Sequence, residues 1–577
     1  AGLNGNVNTG GDSQGGTNLS GQVNYRTTSF NSFINLGMNE RKRISSGNSL
    51  RTMDFAAFSN RLDQVSESNS GGPNLFVKTG FEYFIDPSQS LAISTTISNG
   101  NRTSDGTTST IDSGPGDRKF IRTTSGNNDR NGYDVNLNYD KKFKNSKQKL
   151  TTYARFSDGI NDGLDEYYNT DNGGVDYVNL DRAANGQDGT SSGYDFKLDY
   201  VHPFNEGSKL EVGFASKSTD RGDSQIAEIF NEATNSFVSD REFSNEFEYN
   251  ETVHAAYLQY GGSIGFFGIN AGGRYETVDM FSELKTTNEK FENPYSSFYP
   301  SLSVTFGAPQ LLQIQTSYSK RVNRPRSRMI NPFSSRQDNK NIRVGNPFLK
   351  PEYTDSYEIN FSRFSRGLSL SLGGYYRHTT DKMQRHKEMR ADGVSVATYA
   401  NIKDQKTQGI DYSIVGSLGK KLRLMFSGSV FWDEINTDLY GSDYDNTAQG
   451  QRLRFTTMWN INPTTEFSFF MFYMPARDIA IGRMDAMSFS SMSVKKKFMD
   501  ERFNLTLNVG DPFNLSGFSF YTSGDNWEQE SSRNWSSRTI RLTLEYRFGK
   551  MEDKSRYSRQ RGRGQGMDMD EGAGEIF

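Results

Sequence analysis

Residues 540–548 alternate strictly between apolar and polar side chains, which is the pattern of a β-strand with two unlike faces. The apolar positions are Ile540, Leu542, Leu544, Tyr546 and Phe548, and the polar positions between them are Arg541, Thr543, Glu545 and Arg547. One face is therefore entirely apolar and ends in two aromatic residues. The stretch is close in length to the roughly nine to eleven residues that a tilted strand needs to cross a membrane.

The same period of two recurs along the chain, in residues 77–85, 133–139, 194–200 and 421–430. Only 33% of the residues are hydrophobic and the mean hydropathy is -0.75, values that by themselves suit a disordered chain. The sequence also contains 42 Phe and 29 Tyr, far too many for such a chain. This mixture suits many strands joined by polar loops. No run of about 18 apolar residues occurs, so the sequence predicts no transmembrane helix.

Short and long connections alternate between the predicted strands. The short ones include "IDPSQS" at 85–90, "PFNEGS" at 203–208, "FSRG" at 364–367 and "NPTT" at 462–465. This asymmetry is typical of outer-membrane barrels, which have short periplasmic turns and long extracellular loops. A β-propeller would instead show a fixed repeat, and the sequence shows none. We predict an all-β fold, a closed antiparallel transmembrane β-barrel of about 22 strands that runs from near Leu3 to Phe548.

Several classes of function are excluded by composition and motifs. A net charge of -3 gives no electrostatic surface for nucleic acid. The absence of cysteine excludes disulfides and thiolate chemistry. The sequence carries no Gly-x-Ser-x-Gly, zinc or P-loop motif, so we expect no enzymatic activity, no catalytic residue and no resident cofactor. The sequence begins at Ala1, without a Met or a signal peptide, as a mature protein or a fragment would.

The segment 318–361 resembles TonB-dependent receptors, in particular the outer-membrane protein β-barrel family. The residues that carry this resemblance are Tyr318, Ser319, Arg321, Arg324, Pro325, Asn331, Pro332, Phe333, Gly345, Asn346, Pro347, Leu349, Lys350, Pro351, Glu352, Tyr357 and Glu358. The opening "AGLNGNVNTGG" is similar to the segment that follows the plug in that family, so the resemblance covers about residues 1–548. Neither Pro347 nor Pro351 donates to a β-ladder, so regular pairing should begin after Pro351.

The resemblance implies a barrel closed by an N-terminal plug, and import of a bulky nutrient with energy drawn through TonB. Siderophores, cobalamin, glycans and peptides are the nutrient classes that it implies. Barrel-like sequence begins at residue 1, however, and this sequence contains neither a plug nor a TonB box. Our first hypothesis is therefore an outer-membrane transporter whose plug, and hence its contact with TonB, lies upstream of Ala1.

Two other functions remain open at this point. The alternative is an accessory or structural barrel that does not transport, a subunit of a multi-protein outer-membrane complex. Its partners would be outer-membrane lipid and a surface lipoprotein or other subunits of the complex. The third is a surface-binding barrel that acts through its long loops.

An acidic stretch at 158–176 is a candidate cation site. It contains Asp158, Asp162, Asp165 and Glu166, and several oxygen ligands on a flexible loop suit a hard cation such as Ca²⁺. The spacing matches no EF-hand, and a solvated extracellular loop explains the same residues. His378 and His386 are predicted to share one loop, but their spacing matches no metal-site template.

A basic segment surrounds the family motif and consists of Arg321, Arg324, Arg326, Arg328, Arg336 and Arg343. Arginine forks suit carboxylates and phosphates. The functional interpretation is contact with an anionic ligand, a lipid head group or the carboxylates of a plug. The alternative is pairing with lumen carboxylates such as Glu358 and Glu545.

Residues 549–577 differ from the predicted barrel. They combine a basic, Gly-rich part with an acidic part, and such charge blocks are usually flexible interaction segments. Because they follow a strand that runs toward the periplasm, we predict a flexible charged tail there. It would dock on a periplasmic partner or on the assembly machinery, or remain disordered.

Overall fold

The period-two stretches of the sequence lie in long antiparallel strands in the computed structural model of the chain. The structure describes residues 2–55, 58–113, 118–144, 147–171, 182–231, 233–241, 243–308, 311–333, 335–338, 341–390, 393–437, 444–479, 482–524, 526–535 and 538–549. Within these residues, no helix is long and apolar enough to cross a membrane.

The described residues contain 30 strands, of which eight are short additions to the sheet. The other 22 form the barrel wall. The first eleven are β1 (Gly2–Asp12), β2 (Thr17–Arg26), β3 (Phe30–Phe55), β4 (Phe58–Asp86), β5 (Gln89–Ser113), β6 (Arg118–Lys142), β7 (Lys149–Asp171), β8 (Arg182–Pro203), β9 (Ser208–Asn231), β10 (Asn245–Ile264) and β11 (Phe267–Leu284). The second eleven are β12 (Tyr295–Ala308), β13 (Leu312–Asn323), β14 (Glu352–Ser365), β15 (Leu368–Met389), β16 (Ser395–Leu418), β17 (Leu422–Thr437), β18 (Tyr444–Asn462), β19 (Thr465–Met474), β20 (Met487–Phe498), β21 (Phe503–Gly510) and β22 (Thr539–Gly549).

The sheet closes on itself because the first strand pairs with the last. β1 and β22 are antiparallel, from Asn4 opposite Gly549 to Asp12 opposite Arg541. A closed sheet leaves no edge with unpaired N–H and C=O groups, which is what a membrane-spanning β-structure requires. The predicted closed barrel and its strand number are confirmed. β22 ends at Gly549, one residue beyond the predicted boundary, and the rest of the predicted tail, 550–577, lies outside the described residues.

The outward face of β22 is apolar and its inward face is polar, as the alternation predicts. Leu542 and Tyr546 are each 47% exposed on the outward face, where lipid covers them in a membrane. Glu545 faces inward and accepts hydrogen bonds from Arg547. Tyr357 is likewise exposed on the outward face. Pairing of β14 begins at Glu352, as predicted from the prolines before it.

Many of the predicted long extracellular loops are in fact extensions of the strands. β4 is 29 residues long and β3 is 26, whereas a tilted strand crosses a bilayer with about ten. Ser, Thr, Asn and Asp occupy both faces of these extensions, so the sequence lacks the apolar alternation that marks a strand. The backbone pairing continues nonetheless, and β3 to β9 form a tall wall above the membrane.

The strands opposite this tall wall are short, and added strands take their place at the extracellular rim. β19 to β22 have between 8 and 12 residues. Between β21 and β22, the hairpin Gly517–Gly524 and Trp527–Trp535 pairs with the extension of β3. Its other edge pairs with Gly482–Met484, which pairs in turn with Arg477–Ile479. The remaining added strands are Ser236–Ser239, Glu289–Glu292, Ser335–Asp338 and Asn341–Arg343.

We expect Leu542→Arg to destabilise the barrel by about 2–4 kcal/mol, because it places a charge against the hydrocarbon of the bilayer. Thr543→Arg, one residue away on the lumen face, is the matched control and should leave the free energy of unfolding nearly unchanged. Urea unfolding of the protein in lipid vesicles measures both. Equal losses for the two variants would contradict the assignment of faces.

Candidate functional site

The family motif lies mainly in the connection between β13 and β14, residues 324–351, which we name the motif loop. It contains one helical turn, Ser327–Ile330. Ile330 is 1% exposed and Leu349 is 2% exposed. Both belong to an apolar cluster with five wall residues, Phe247, Tyr249, Met280, Leu284 and Met383. The members on β10 and β11 face inward, so the motif loop packs inside the extracellular mouth of the barrel.

Asn331 and Gly345 bring the two halves of the motif together. The N–H of Gly345 donates to the carbonyl of Asn331 at 2.8 Å, and the N–H of Asn346 donates to the carbonyl of Met329 at 2.7 Å. A Cβ on Gly345 would lie 2.3 Å from the Asn331 carbonyl oxygen, which is too close for any side chain. Asn331 Oδ1 also accepts from the N–H of Phe333 at 3.1 Å. The Asn-Pro-Phe and Gly-Asn-Pro parts of the motif are therefore one structural unit.

Two asparagines fasten the second half of the motif to the wall. Asn346 Nδ2 donates to the carbonyl of Tyr399 at 3.0 Å. Asn401 Oδ1 accepts from the N–H of Lys350 at 2.8 Å, and its Nδ2 donates to the Lys350 carbonyl at 2.9 Å. Since Pro347 and Pro351 have no N–H to donate, these side-chain amides supply the hydrogen bonds that a regular ladder would otherwise provide.

Arg324 anchors the first half of the motif loop to the inner wall. Its Nε donates to Tyr295 OH at 2.6 Å, and its Nη2 donates to Glu276. Glu276 is only 5% exposed and also accepts from Arg274 at 2.6 Å. Burial disfavours the charge on Arg324, but Tyr295, Glu276 and Glu251 raise its pKa above the ordinary value. The guanidinium therefore stays charged and is held by a buried carboxylate.

Glu352 closes the motif loop at the first residue of β14. Its carboxylate is buried, and accepts from Asn323 Nδ2 at 2.8 Å and from the N–H of Met383 at 2.9 Å. Lys382 Nζ lies 3.4 Å from the same carboxylate. One side chain thus joins the extracellular ends of β13, β14 and β15.

The motif loop also reaches strands that are far from its own in sequence. Arg221 Nη1 on β9 donates to Ser327 Oγ at 3.4 Å, and Arg51 Nη1 on β3 donates to Asn341 Oδ1 at 3.2 Å. Residues 341–343 pair in parallel with 395–397 of β16. Because its contacts lie on β3, β9 and β16, the motif loop spans the mouth of the barrel.

Two residues of the predicted motif lie on β13, apart from the motif loop. Tyr318 faces outward, with its ring 5.0 Å from that of Tyr357, and its hydroxyl donates to Asp355 at 2.7 Å. Arg321 faces the lumen and is exposed. Within the motif loop, Pro325 is buried and Phe333 packs against the apolar cluster, while Pro332 is half-buried. The structure therefore brings together the predicted residues from Arg324 to Glu352, but not Tyr318 and Arg321.

Arg324 pairs with a lumen carboxylate, as one interpretation of the arginine segment predicted, but the two carboxylates named as examples are not its partners. Arg324 pairs with Glu276, not with Glu358 or Glu545. Glu358 lies 3.7 Å from Arg377, and Glu545 pairs with its neighbour Arg547 at 2.8 Å. The reason is height along the barrel, because Glu358 is six residues below the extracellular end of β14 and Glu545 is near the periplasmic end of β22.

The predicted acidic loop is part of β7 as far as the structure describes it. Asp158, Asp162 and Glu166 face outward and Asp165 faces inward, because a strand alternates its sides. Residues four apart on a strand are about 13 Å apart, too far to share one ion. The structure thus does not bring these four carboxylates together, and 172–176 lie outside the described residues. In the part of the chain that is described, no group of three or more His, Asp or Glu is arranged to hold a metal.

The two histidines predicted to share a loop lie instead on β15. His378 Nε2 is 3.8 Å from Asp404, and His386 Nε2 is 3.2 Å from Glu388. Each therefore has its own carboxylate neighbour, and the structure does not join them into one site.

Sequence reasoning missed the wall residues that receive the motif loop. Phe247, Tyr249, Met280 and Leu284 occupy inward positions on β10 and β11. Apolar residues on the lumen side of two adjacent strands were the available signal. This pattern can be recognised only when the register of β10 against β11 is known.

We expect Gly345→Ala to loosen the motif loop by about 1–3 kcal/mol, the usual cost of forcing a group into a packed site. Amide hydrogen exchange at Gly345 and Asn346 should speed up accordingly. Gly416→Ala is the matched control, because a Cβ there meets no atom within 4 Å. Unchanged exchange in the Gly345 variant would contradict the described turn.

We expect Glu352→Ala to free the motif loop at its second end, because removing the carboxylate leaves the buried N–H of Met383 without an acceptor, a loss of about 1–3 kcal/mol. Limited trypsin digestion should then cut the loop at Arg343, which Val344 follows, faster than in the parent. Glu352→Gln retains an acceptor oxygen and should show a smaller change. Identical digestion rates for all three proteins would refute the role of Glu352.

Residues 141–546 match the outer membrane protein beta-barrel family. No curated protein matches the sequence. The fold is also found in solved structures that are only 11–15% identical to this chain in sequence. The FrpB iron transporter from Neisseria meningitidis (F5-1 variant) is 15% identical with a TM-score of 0.57, and the alignment covers 95% of this chain and 82% of that one.

Two further solved structures have the same fold. The copper transporter OprC is 11% identical with a TM-score of 0.64, covering 95% of this chain and 80% of that one. The ferric citrate transporter FecA in its unliganded form is 11% identical with a TM-score of 0.59, covering 95% and 78%. The family match spans 406 of the 577 residues. The chain belongs to the outer membrane protein beta-barrel family, and its place is the bacterial outer membrane.

Proposed function

We propose that this barrel takes up a bulky nutrient across the outer membrane in a TonB-dependent manner. The observation that carries the proposal is the motif loop, which is fastened across the mouth of a 22-stranded barrel by Arg324, Asn346, Glu352 and its apolar cluster. Barrels of this size enclose a wide lumen. A fixed loop across that lumen converts a wide opening into a restricted entrance, which suits selective uptake better than free diffusion.

The known proteins with this fold support the proposed uptake of a nutrient. FrpB, OprC and FecA are named as transporters of iron, copper and ferric citrate. We assign this chain the same general task, with the nutrient class left to experiment. It acts as a conduit and not as a catalyst, and neither a resident cofactor nor a bound Ca²⁺ is part of the proposal.

A plug upstream of Ala1 would provide the contact with TonB in this scheme. Residues 550–577 would then emerge on the periplasmic side, since β22 ends there.

The alternative remains an accessory barrel within an outer-membrane complex. The tall extracellular wall of β3 to β9 favours it, because strands of 22 to 29 residues project far above the membrane and present a broad outer face. A surface lipoprotein is the kind of partner that such a face would receive.

Uptake by a deletion strain separates the two functions. Cells are supplied in turn with radiolabelled ferric siderophores, copper, cobalamin and oligosaccharides, and uptake is compared with the parent strain and with a strain lacking TonB. We expect deletion to lower uptake of one nutrient class to the level of the TonB-deficient strain, and the wild-type gene to restore it. Normal uptake of every nutrient, together with loss of a co-purifying outer-membrane protein, would instead establish the accessory function.

A further inference from the structure

The lumen face of β17 to β20 carries an apolar patch, which we name the lumen patch. Its members are Met425, Met458, Phe470, Phe472 and Phe489. Met458 is 52% exposed and Phe489 is 46% exposed. The rings of Phe470 and Phe489 lie 6.2 Å apart, and Phe472 is directly opposite Phe489 across the strand pair. The patch is therefore continuous across two strands and open to the lumen.

Such a patch is unusual in a mostly polar lumen, and unlike the apolar cluster under the motif loop it includes side chains about half exposed. The inward neighbours of these residues are Ser468, Thr456, Ser491 and Ser493. Outer-membrane barrels keep their interior polar because it is wet. A contiguous exposed apolar patch marks a surface that binds a protein segment or a ligand.

The charges around the lumen patch are predominantly positive. On the inward face of β17 to β22, the basic residues are Arg423, Arg452, Arg454, Lys495, Lys497, Arg541 and Arg547, and the acidic residues are Asp433, Glu466 and Glu545. Seven basic and three acidic residues give the inward face of β17 to β22 a net charge of +4, of which Asp12 on the adjacent β1 offsets one by pairing with Arg541. A segment that is both acidic and apolar is the complement of this surface.

We propose that residues 567–577 of the chain itself dock on the lumen patch. This segment reads "MDMDEGAGEIF", with the apolar residues Met567, Met569, Ile576 and Phe577 between the acidic residues Asp568, Asp570, Glu571 and Glu575. Its composition thus matches both the apolar surface and the positive charge of the wall. The basic residues of the tail all precede residue 567, so they would stay near the periplasmic opening.

Reach and starting point favour this occupant over an unconnected partner. β22 ends at Gly549 on the periplasmic side, two strands from β20, which carries Phe489, Lys495 and Lys497. The 28 residues from 550 to 577 span up to about 90 Å when extended, against a hydrocarbon thickness of about 30 Å. A tethered segment of this length is present at millimolar effective concentration, so weak individual contacts suffice to hold it.

Disulfide trapping in the full-length chain tests the docking, and the natural absence of cysteine makes the background clean. Ala573→Cys is combined with Ser491→Cys, which lies on the lumen face beside Phe470. After mild oxidation in outer membranes, tryptic mass spectrometry should show the linked peptides. We expect a yield at least about fivefold above that of either control, since docking raises the local concentration of the two thiols.

Two control pairs keep Ala573→Cys and change only the wall position. Met492→Cys is the next residue on β20 and faces lipid, and Ser94→Cys faces the lumen from β5, seven strands further round the barrel. Heat-modified migration on a gel confirms that each variant forms a barrel. Similar yields at Ser491 and Ser94, or no link at Ser491 in a folded barrel, would overturn the proposal.

Neutralising the acidic residues supplies an independent readout. Replacing Asp568, Asp570, Glu571 and Glu575 by their amides should lower the yield at Ser491 severalfold, because the attraction to the positive wall is lost. An unchanged yield would refute the electrostatic part of the match. The measurement requires no nutrient and no TonB, so its failure leaves the proposed transport function untouched.

Discussion

Closure of the backbone hydrogen-bond ladder is the constraint on which the rest of this structure depends. A bilayer offers no water to an unpaired N–H or C=O, so a sheet within it must return to its own first strand. The pairing of β1 with β22, in which Val7 lies opposite Tyr546, meets this requirement. Once the sheet is closed, lipid and water act on opposite faces, and the strict alternation of apolar and polar residues follows.

The motif loop depends on that closed wall in a different way. Hydrogen bonds within the loop, such as those of Gly345 and Asn346, fix its own turns, and contacts with the wall fix its position. The wall supplies what is missing: a buried carboxylate for Arg324, an amide from Asn401, and an apolar recess around Phe247. These contacts make the motif loop a fixed part of the entrance.

Sequence reasoning succeeded where a local residue pattern determines the local structure. It failed where the outcome depends on which residues of neighbouring strands lie opposite each other. The apolar face of β22 and the start of β14 after Pro351 follow from local rules, and both are observed. Asp158 and Asp165 were assigned to one loop because polar residues on both faces of a strand conceal its period. The partner of Arg324 required knowing which residue of β11 stands at the same height, which no local pattern in the sequence encodes.

The unequal strand lengths have a consequence for the order in which the protein is completed. The rim above the short strands is built from residues 517–535, and Gln529 and Ser531 there contact Ser49, about 480 positions earlier in the chain. The pairing of β1 with β22, which closes the barrel, uses residues 541–549, and these follow residues 517–535 closely in the sequence. Both the extracellular rim and the membrane-spanning part of the barrel therefore remain open until the last tenth of the described chain is in place. A nascent barrel of this design has no partly finished form that is sealed on either side of the membrane.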